Sequence, residues 1–559
     1  MPSAGRDFGD RRHNLEIRQN VFPATWDNLE VMAPVPEIGK SEIGTMIGNC
    51  MTLPKPRSLL LTACVACLLL TAVVGFTQGR RGGAGQGRGG QPQPAVFYTD
   101  VPAHPLDIVL ARPTGTTMTL SILAYKDMEG TISYGTPKGS YPLKIGIIKL
   151  RKGEPSEVVL STLDPNTQYS YRLNCREPGS TDFAPGEECS FYTARSAGST
   201  FTFTVQADPH LDENSSPEVY ARTLANALAG RPDFHIDLGD TFMTDKYRPN
   251  YQDAFKQYLA QRYYFGLLCK SAPLFFVLGN HDGEAGWQDN GTDNSVSVWS
   301  NRMRKKFFPN PVPDAFYTGN KAGGKYTGLL EDYYAWEWGD ALFVVLDPFW
   351  YTRSRPNQGD DGWNWTLGAE QYRWLKQTLE HSRARFKFIF IHHLVGGATR
   401  EARGGIEAAK YFEWGGYNRE GNYAFKEKRP GWDLPIHPLL VQNKVSIVFH
   451  GHDHLFVKQD LDGIVYQLVP QPGSRRNDNT RSAQEYGYVH GDVMSAPGFM
   501  RITVSQSKVT AEYVRTYLAA DEREGRRNGQ VAHSYSIGDR GRTTQSSAGA
   551  GDRGRTQCR

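Results

Sequence analysis

Between residues 97 and 195 apolar and polar positions alternate in short runs: Ile108 to Leu110, Met118 to Leu123, Thr131 to Tyr134, Glu157 to Leu160, Gln168 to Leu173 and Ser190 to Thr193, separated by Gly and Pro. That rhythm predicts a small antiparallel β-sandwich over 97–196. From 197 to 518 the pattern changes. Apolar strands at 201–206, 234–238 and 274–278 alternate with helical stretches at 217–228 and 251–268. Further strands are expected at 341–346, 386–391, 445–449, 464–469, 499–504 and 508–514, with a helix at 368–381. Strands interleaved with helices predict a layered α/β domain.

The flanks follow neither pattern. From Met51, a basic stretch (Lys55, Arg57), an apolar run from Leu59 to Val74 and the small-residue site beyond it read over 51–79 as a signal peptide. Residues 1–50 then read as an over-extended, unstructured start. Export to the periplasm or the extracellular space is expected, the alternative being a single-pass membrane anchor if 59–74 stays uncleaved. Residues 80–96 are Gly-, Arg- and Gln-rich and read as a linker, and 519–559, rich in Gly, Arg and Ser, as a disordered tail.

Charge and cysteine content narrow the classes of function. The net charge of +4 over 559 residues is carried by the flanks: residues 51–100 give +4, 519–559 give +3 and 1–50 give −2, leaving −1 for the body. A body without a Lys/Arg footprint is not expected to bind nucleic acid other than as a substrate. Beyond the signal segment four of the seven cysteines remain. Export permits a bridge between Cys175 and Cys189 across a turn-rich hairpin; two free thiols are the alternative.

The candidate chemistry lies where polar residues follow the apolar strands: Asp208-Pro209-His210, Gly239-Asp240, Gly279-Asn280-His281-Asp282, His392-His393 and His450-Gly451-His452-Asp453-His454. Three of the 14 histidines fall within 450–454, and in extended chain alternation puts at least two on one side. The carboxyl ends of strands in an open α/β sheet border a common crevice, so residues distant in sequence can converge there. Two cations about 3.5–4 Å apart need a shared carboxylate, neutral imidazoles and an open face, and this residue set offers all three.

In that order the five blocks resemble the calcineurin-like metallophosphoesterase superfamily. The preceding sandwich, whose Leu163-Asp164-Pro165 to Tyr169 segment resembles the fibronectin type III tyrosine corner, is similar to the branch shared with purple acid phosphatases. The resemblance implies two mixed sheets flanked by helices, and two metal ions, Fe, Mn, Zn or Co. Asp208, His210, Asp240 and His454 would hold one ion; Asp240, Asn280, His392 and His452 the other. His392 is preferred to His393 as the first residue beyond its strand. The implied activity is hydrolysis of small-molecule phosphomonoesters or phosphodiesters by in-line attack of a metal-bridging hydroxide. His281 would protonate the leaving oxygen, with Asp282 orienting its imidazole. The purple branch has a metal-binding tyrosine where this chain has Met243, and Asp-x-Gly where this chain has His210, which argues against a tyrosinate–iron centre.

Substrate contacts are expected from the glycine-rich segment 396–432, where Arg400 and Arg403 offer guanidinium groups to phosphate and Trp414 and Tyr417 offer rings; Trp287 and Tyr351 are further candidates. The alternative function is a catalytically inactive cell-surface protein that binds through its sandwich, which a complete ligand set argues against.

Overall fold

The computed structural model describes residues 95–355, 362–398, 401–475, 478–538 and the backbone of 543–544. The signal segment, most of the linker and Arg400 lie outside the described residues. Among the described residues no helix is long and apolar enough to cross a membrane.

Seven strands form the N-terminal sandwich: β1 (Leu106–Ala111), β2 (Met118–Ala124), β3 (Met128–Gly135), β4 (Leu143–Leu150), β5 (Ser156–Leu160), β6 (Gln168–Arg176) and β7 (Cys189–Tyr192). One sheet has the order β1-β2-β5 and the other β4-β3-β6-β7. Between them pack Leu120, Ile122, Ile132, Tyr171, Phe191 and their neighbours. Tyr169 forms the expected corner, its Oη accepting the Asp164 N–H at 2.9 Å. The expected hairpin bridge does not form: Cys175 and Cys189 are free thiols. The register pairs Cys189 with Tyr171 and Cys175 with Gly130, so the two cysteines stand four strand positions apart, about 13 Å.

The α/β domain begins with β8 (Phe201–Gln206), α1 (Pro217–Ala229), β9 (Phe234–Asp237), α2 (Phe255–Cys269), β10 (Leu274–Phe276) and α3 (Val296–Phe307). Helix α1 starts where the sequence provides a cap: Ser216 accepts the Val219 N–H and Pro217 occupies the first turn. Parallel strands β10, β9 and β8 continue through antiparallel strands 498–504, 508–515 and 531–538 into a seven-stranded sheet. An eight-stranded sheet has strands 341–345, 386–390 and 447–450 at its parallel centre. The two sheets enclose an aromatic core in which Phe203 and Phe343 lie 5.2 Å apart and Phe390 stacks on Phe449 at 5.0 Å.

The sandwich and the α/β domain share a core, since Val109 and Leu123 pack with Phe265 and Leu268 of α2. Beside that contact Arg262 is fully buried. Its guanidinium donates to Ser121 Oγ and O at 3.1 and 2.8 Å, to Asp107 O at 3.3 Å and to Phe307 O at 2.7 Å. The expected disordered tail is corrected in part. Val531–Gly538 is a strand on the seven-stranded sheet, with Tyr535 and Ile537 buried on its inner face.

Candidate metal centre

The strands of both sheets end at one place. Asp208 follows β8, Asp240 follows β9, Asn280 follows β10, His392 follows strand 386–390, and His452 and His454 follow strand 447–450. Two groups of donor atoms result, Asp208 with His210 and His454, and Asp240 with His392 and His452. Asp240 joins them: its Oδ2 lies 3.2 Å from His392 Nε2 and 3.8 Å from His210 Nε2. Asp208 Oδ1 is 3.5 Å from His454 Nε2, 3.7 Å from His210 Nε2 and 3.9 Å from His392 Nε2.

The alternation expected for 450–454 does not apply. The strand ends at His450, and His452 and His454 sit at φ 76° and 58°, which sends them to different groups. Asp208 and Asp240 are also left-handed, at φ 60° and 56°. Such a backbone costs roughly 1–3 kcal/mol per residue and persists only where surrounding bonds enforce it. Here Asp208 Oδ2 accepts the His452 N–H at 2.9 Å, and the Gly239–Asp240 turn packs against Gly279. A Cβ on Gly279 would lie 2.1 Å from Asp240 N, so the approach of those turns requires glycine.

Each outer imidazole nitrogen of three histidines has an acceptor: His210 Nδ1 has Asp212 Oδ2 at 3.0 Å, His392 Nδ1 has Leu238 O at 2.8 Å, and His452 Nε2 has Glu401 O at 2.7 Å. The outer nitrogens therefore carry protons, and each inner one, when its ring is neutral, turns an electron pair inward. His452 Nδ1 faces His392 Nε2 at 3.2 Å, a separation that repels unless a proton or a metal ion lies between. Burial alone would lower His392, but Asp240 and Asp208 outweigh it and raise the imidazole to about 9. Burial likewise works against ionisation of Asp240, yet His392 and His281 hold its carboxyl well below the ordinary range. His452 is driven the other way, by burial and by Arg403, and stays neutral. Asp208 Oδ1, His210 Nε2 and Asn280 Oδ1 are buried without a hydrogen-bond partner. Such atoms are rare in native proteins, and those of Asp208 and His210 lie within the first donor group, so the residues present fit two metal ions.

His393 belongs to neither group. It packs edge-on against Trp365 and Phe349, and burial pushes it down to about 3. The open face is marked by His454 and His281, whose side chains are 36% and 23% exposed. Asp282 does not orient His281. Its buried carboxylate accepts four backbone N–H groups, from Gly279, Asp240, Thr241 and Phe242, at 2.7–3.0 Å, and so locks the two turns together. The partner of His281 is Asp245, whose Oδ1 and Oδ2 lie 3.0 and 3.1 Å from Nδ1, and the His281 ring lies 6.4 Å from that of His210. The sequence reading missed Asp245 and Asp212. Asp212 had a signal in its place two residues beyond His210; Asp245, in a short 3-10 turn, had none.

Arg403 is also reassigned. It donates to His452 O and Asp453 Oδ1, both at 2.9 Å, and to Glu401 Oε2 at 2.9 Å, and it lies over the Tyr486 ring, so it braces the histidine loop rather than substrate. Trp414 is buried and donates to Tyr466 Oη at 3.0 Å, and Tyr351 is bound to Asp332 at 2.9 Å. Tyr417 is exposed and Trp287 is half-buried against Trp365. Met243, a buried thioether, offers no phenolate.

Residues 201–456 match the family model of the calcineurin-like phosphoesterases, so this chain carries a domain of that family and is a hydrolase acting on phosphoric ester bonds. It is similar to probable purple acid phosphatase 20 of Arabidopsis thaliana, 22% identical over 365 residues that span 64% of this chain and 69% of the relative. Among solved structures, PhoD shares the fold with a TM-score of 0.56 at 13% identity, over 83% of this chain and 94% of that one. A purple acid phosphatase from yellow lupin (Lupinus luteus) seeds aligns with a TM-score of 0.49 at 16% identity, over 77% of this chain and 74% of that one.

Proposed function

We propose that this chain is an exported phosphoesterase that works with two metal ions, Asp240 bridging them, on small-molecule phosphate esters. The observation that carries the reading is the position of Asp240 between two donor groups whose inner imidazole nitrogens crowd together with its carboxylate. Export is supported by the leader-like segment at 51–79. Metal ions in such a set supply a nucleophile from water near neutral pH and neutralise charge on the phosphoryl oxygens. The chain's own part is to hold that set rigid, through Asp282 behind the turns and Arg403 behind His452, and to present His281 Nε2 to the departing oxygen. Asp245 keeps the Nδ1 proton in place and so fixes which nitrogen acts.

Prolonged chelation is expected to abolish activity and release about two metal ions per chain, and divalent metal to restore it; full activity in a verified metal-free sample overturns the reading. His281→Asn is expected to slow an alkyl phosphate roughly 10²- to 10⁴-fold and a nitrophenyl phosphate far less, because only the poor leaving group needs a proton. Asp245→Asn is expected to show the same selectivity more weakly. Metal content should stay at the wild-type level in both variants. An equal loss on both substrates reassigns His281 to holding the phosphoryl group.

A further inference from the structure

The segment that leads into the sandwich runs beside the loop that follows His210. Phe97 pairs as an isolated antiparallel bridge with Asp212, and the Tyr98 N–H donates to Leu211 O at 2.7 Å. The Phe97 ring stacks on Tyr247 with centroids 4.4 Å apart and planes 13° from parallel. Both contacts lead to His210. Asp212 Oδ2 lies 3.0 Å from His210 Nδ1. Tyr247 Oη donates to Gln257 Oε1 at 3.0 Å, and Gln257 Nε2 donates to His210 O at 2.5 Å and Thr241 O at 2.9 Å. Tyr247 also ends the short turn 244–246 that carries Asp245, the partner of His281.

We propose that Phe97 is a positioning residue for the metal centre, a clasp that ties the loop orienting His210 to the turn orienting His281. Phe97 belongs to none of the hydrophobic cores of the described residues, and it stands nine residues before the start of β1, so packing of the sandwich does not explain its contacts. Neighbours that fix a ligand imidazole commonly change metal affinity by about 10–100-fold when removed. Phe97 acts one contact further out, so the lower end of that range is expected.

The inference rests on the binuclear reading, and its test separates the two. In full-length protein, Phe97→Ala is expected to weaken the more labile metal about tenfold in a competition titration against a chromophoric chelator, and to lower kcat more than it raises KM. Phe97→Tyr, which keeps a ring over Tyr247, is expected to restore the metal affinity. The denaturation midpoint of Phe97→Ala should stay close to wild type. Wild-type metal affinity and kinetics in Phe97→Ala overturn the clasp while leaving the binuclear reading intact. A wild-type protein that takes up fewer than two ions per chain defeats that reading itself. A loss of stability in Phe97→Ala with metal affinity unchanged also overturns the clasp and makes Phe97 a packing residue only.

Discussion

Asp240→Asn is expected to lower kcat/KM by about 10²- to 10⁴-fold and to strip metal from both groups, more than any substitution at a ligand confined to one of them. The size follows from removing one partner of a buried charge set, about 3–5 kcal/mol, at tenfold per 1.36 kcal/mol. The near-isosteric amide has no acceptable orientation. Asp240 Oδ1 accepts the His281 N–H at 2.7 Å while Oδ2 faces His392 and His210. If the amide nitrogen takes the first place, two N–H donors meet; if it takes the second, its protons occupy the space where the lone pairs converge. Measuring metal per chain and kcat/KM for Asp240→Asn beside Asp208→Asn decides the matter. Equal and mild effects at the two positions would count against bridging.

The second large effect is expected at Asp282, and on stability rather than on chemistry. Its carboxylate accepts four backbone N–H groups that have no route to water, and each buried donor left unsatisfied costs roughly 1–3 kcal/mol. Burial raises this carboxyl to about 6 and Asp240 adds to the rise, so the four amides are also what keep it ionised near neutral pH. Asp282→Ala should therefore cost on the order of 4 kcal/mol or more in a denaturant titration and release metal as the turns separate. Asp245→Asn should leave the midpoint nearly unchanged. A stable Asp282→Ala that loses only turnover would return Asp282 to the chemistry.

Much of this site was legible because its residues sit directly after the most apolar segments of the chain. A run such as Phe201–Gln206 announces a buried strand, and a buried strand fixes where the next residues emerge. Phe234–Asp237, Phe386–Phe390 and Ile447–His450 work the same way. Edges were harder to read. Strand β4, Leu143–Leu150, alternates lysine and glycine with isoleucine at a sheet edge, and five of its eight residues are exposed. Strand 531–538 does carry a period of two in Tyr535 and Ile537, but the Gly/Arg-rich sequence around it hid the signal. The roles of Asp245, Asp282 and Arg403 depend on which turn lies against which. Adjacency in sequence suggested Asp282 for His281, whereas the turn at 244–246 brings Asp245 there from 36 positions away.

Arg262 bears on how the molecule is assembled. A guanidinium enclosed by carbonyls and a hydroxyl drawn from both the sandwich and the α/β domain keeps its partners only while the two stay docked. Undocking would present a charge with three of its four acceptors gone, together with the apolar face that Val109 and Leu123 cover on α2. The sandwich and the catalytic body should thus gain and lose structure together. The change of pattern near residue 197 marks where one architecture succeeds another, and not a seam along which the chain can be divided.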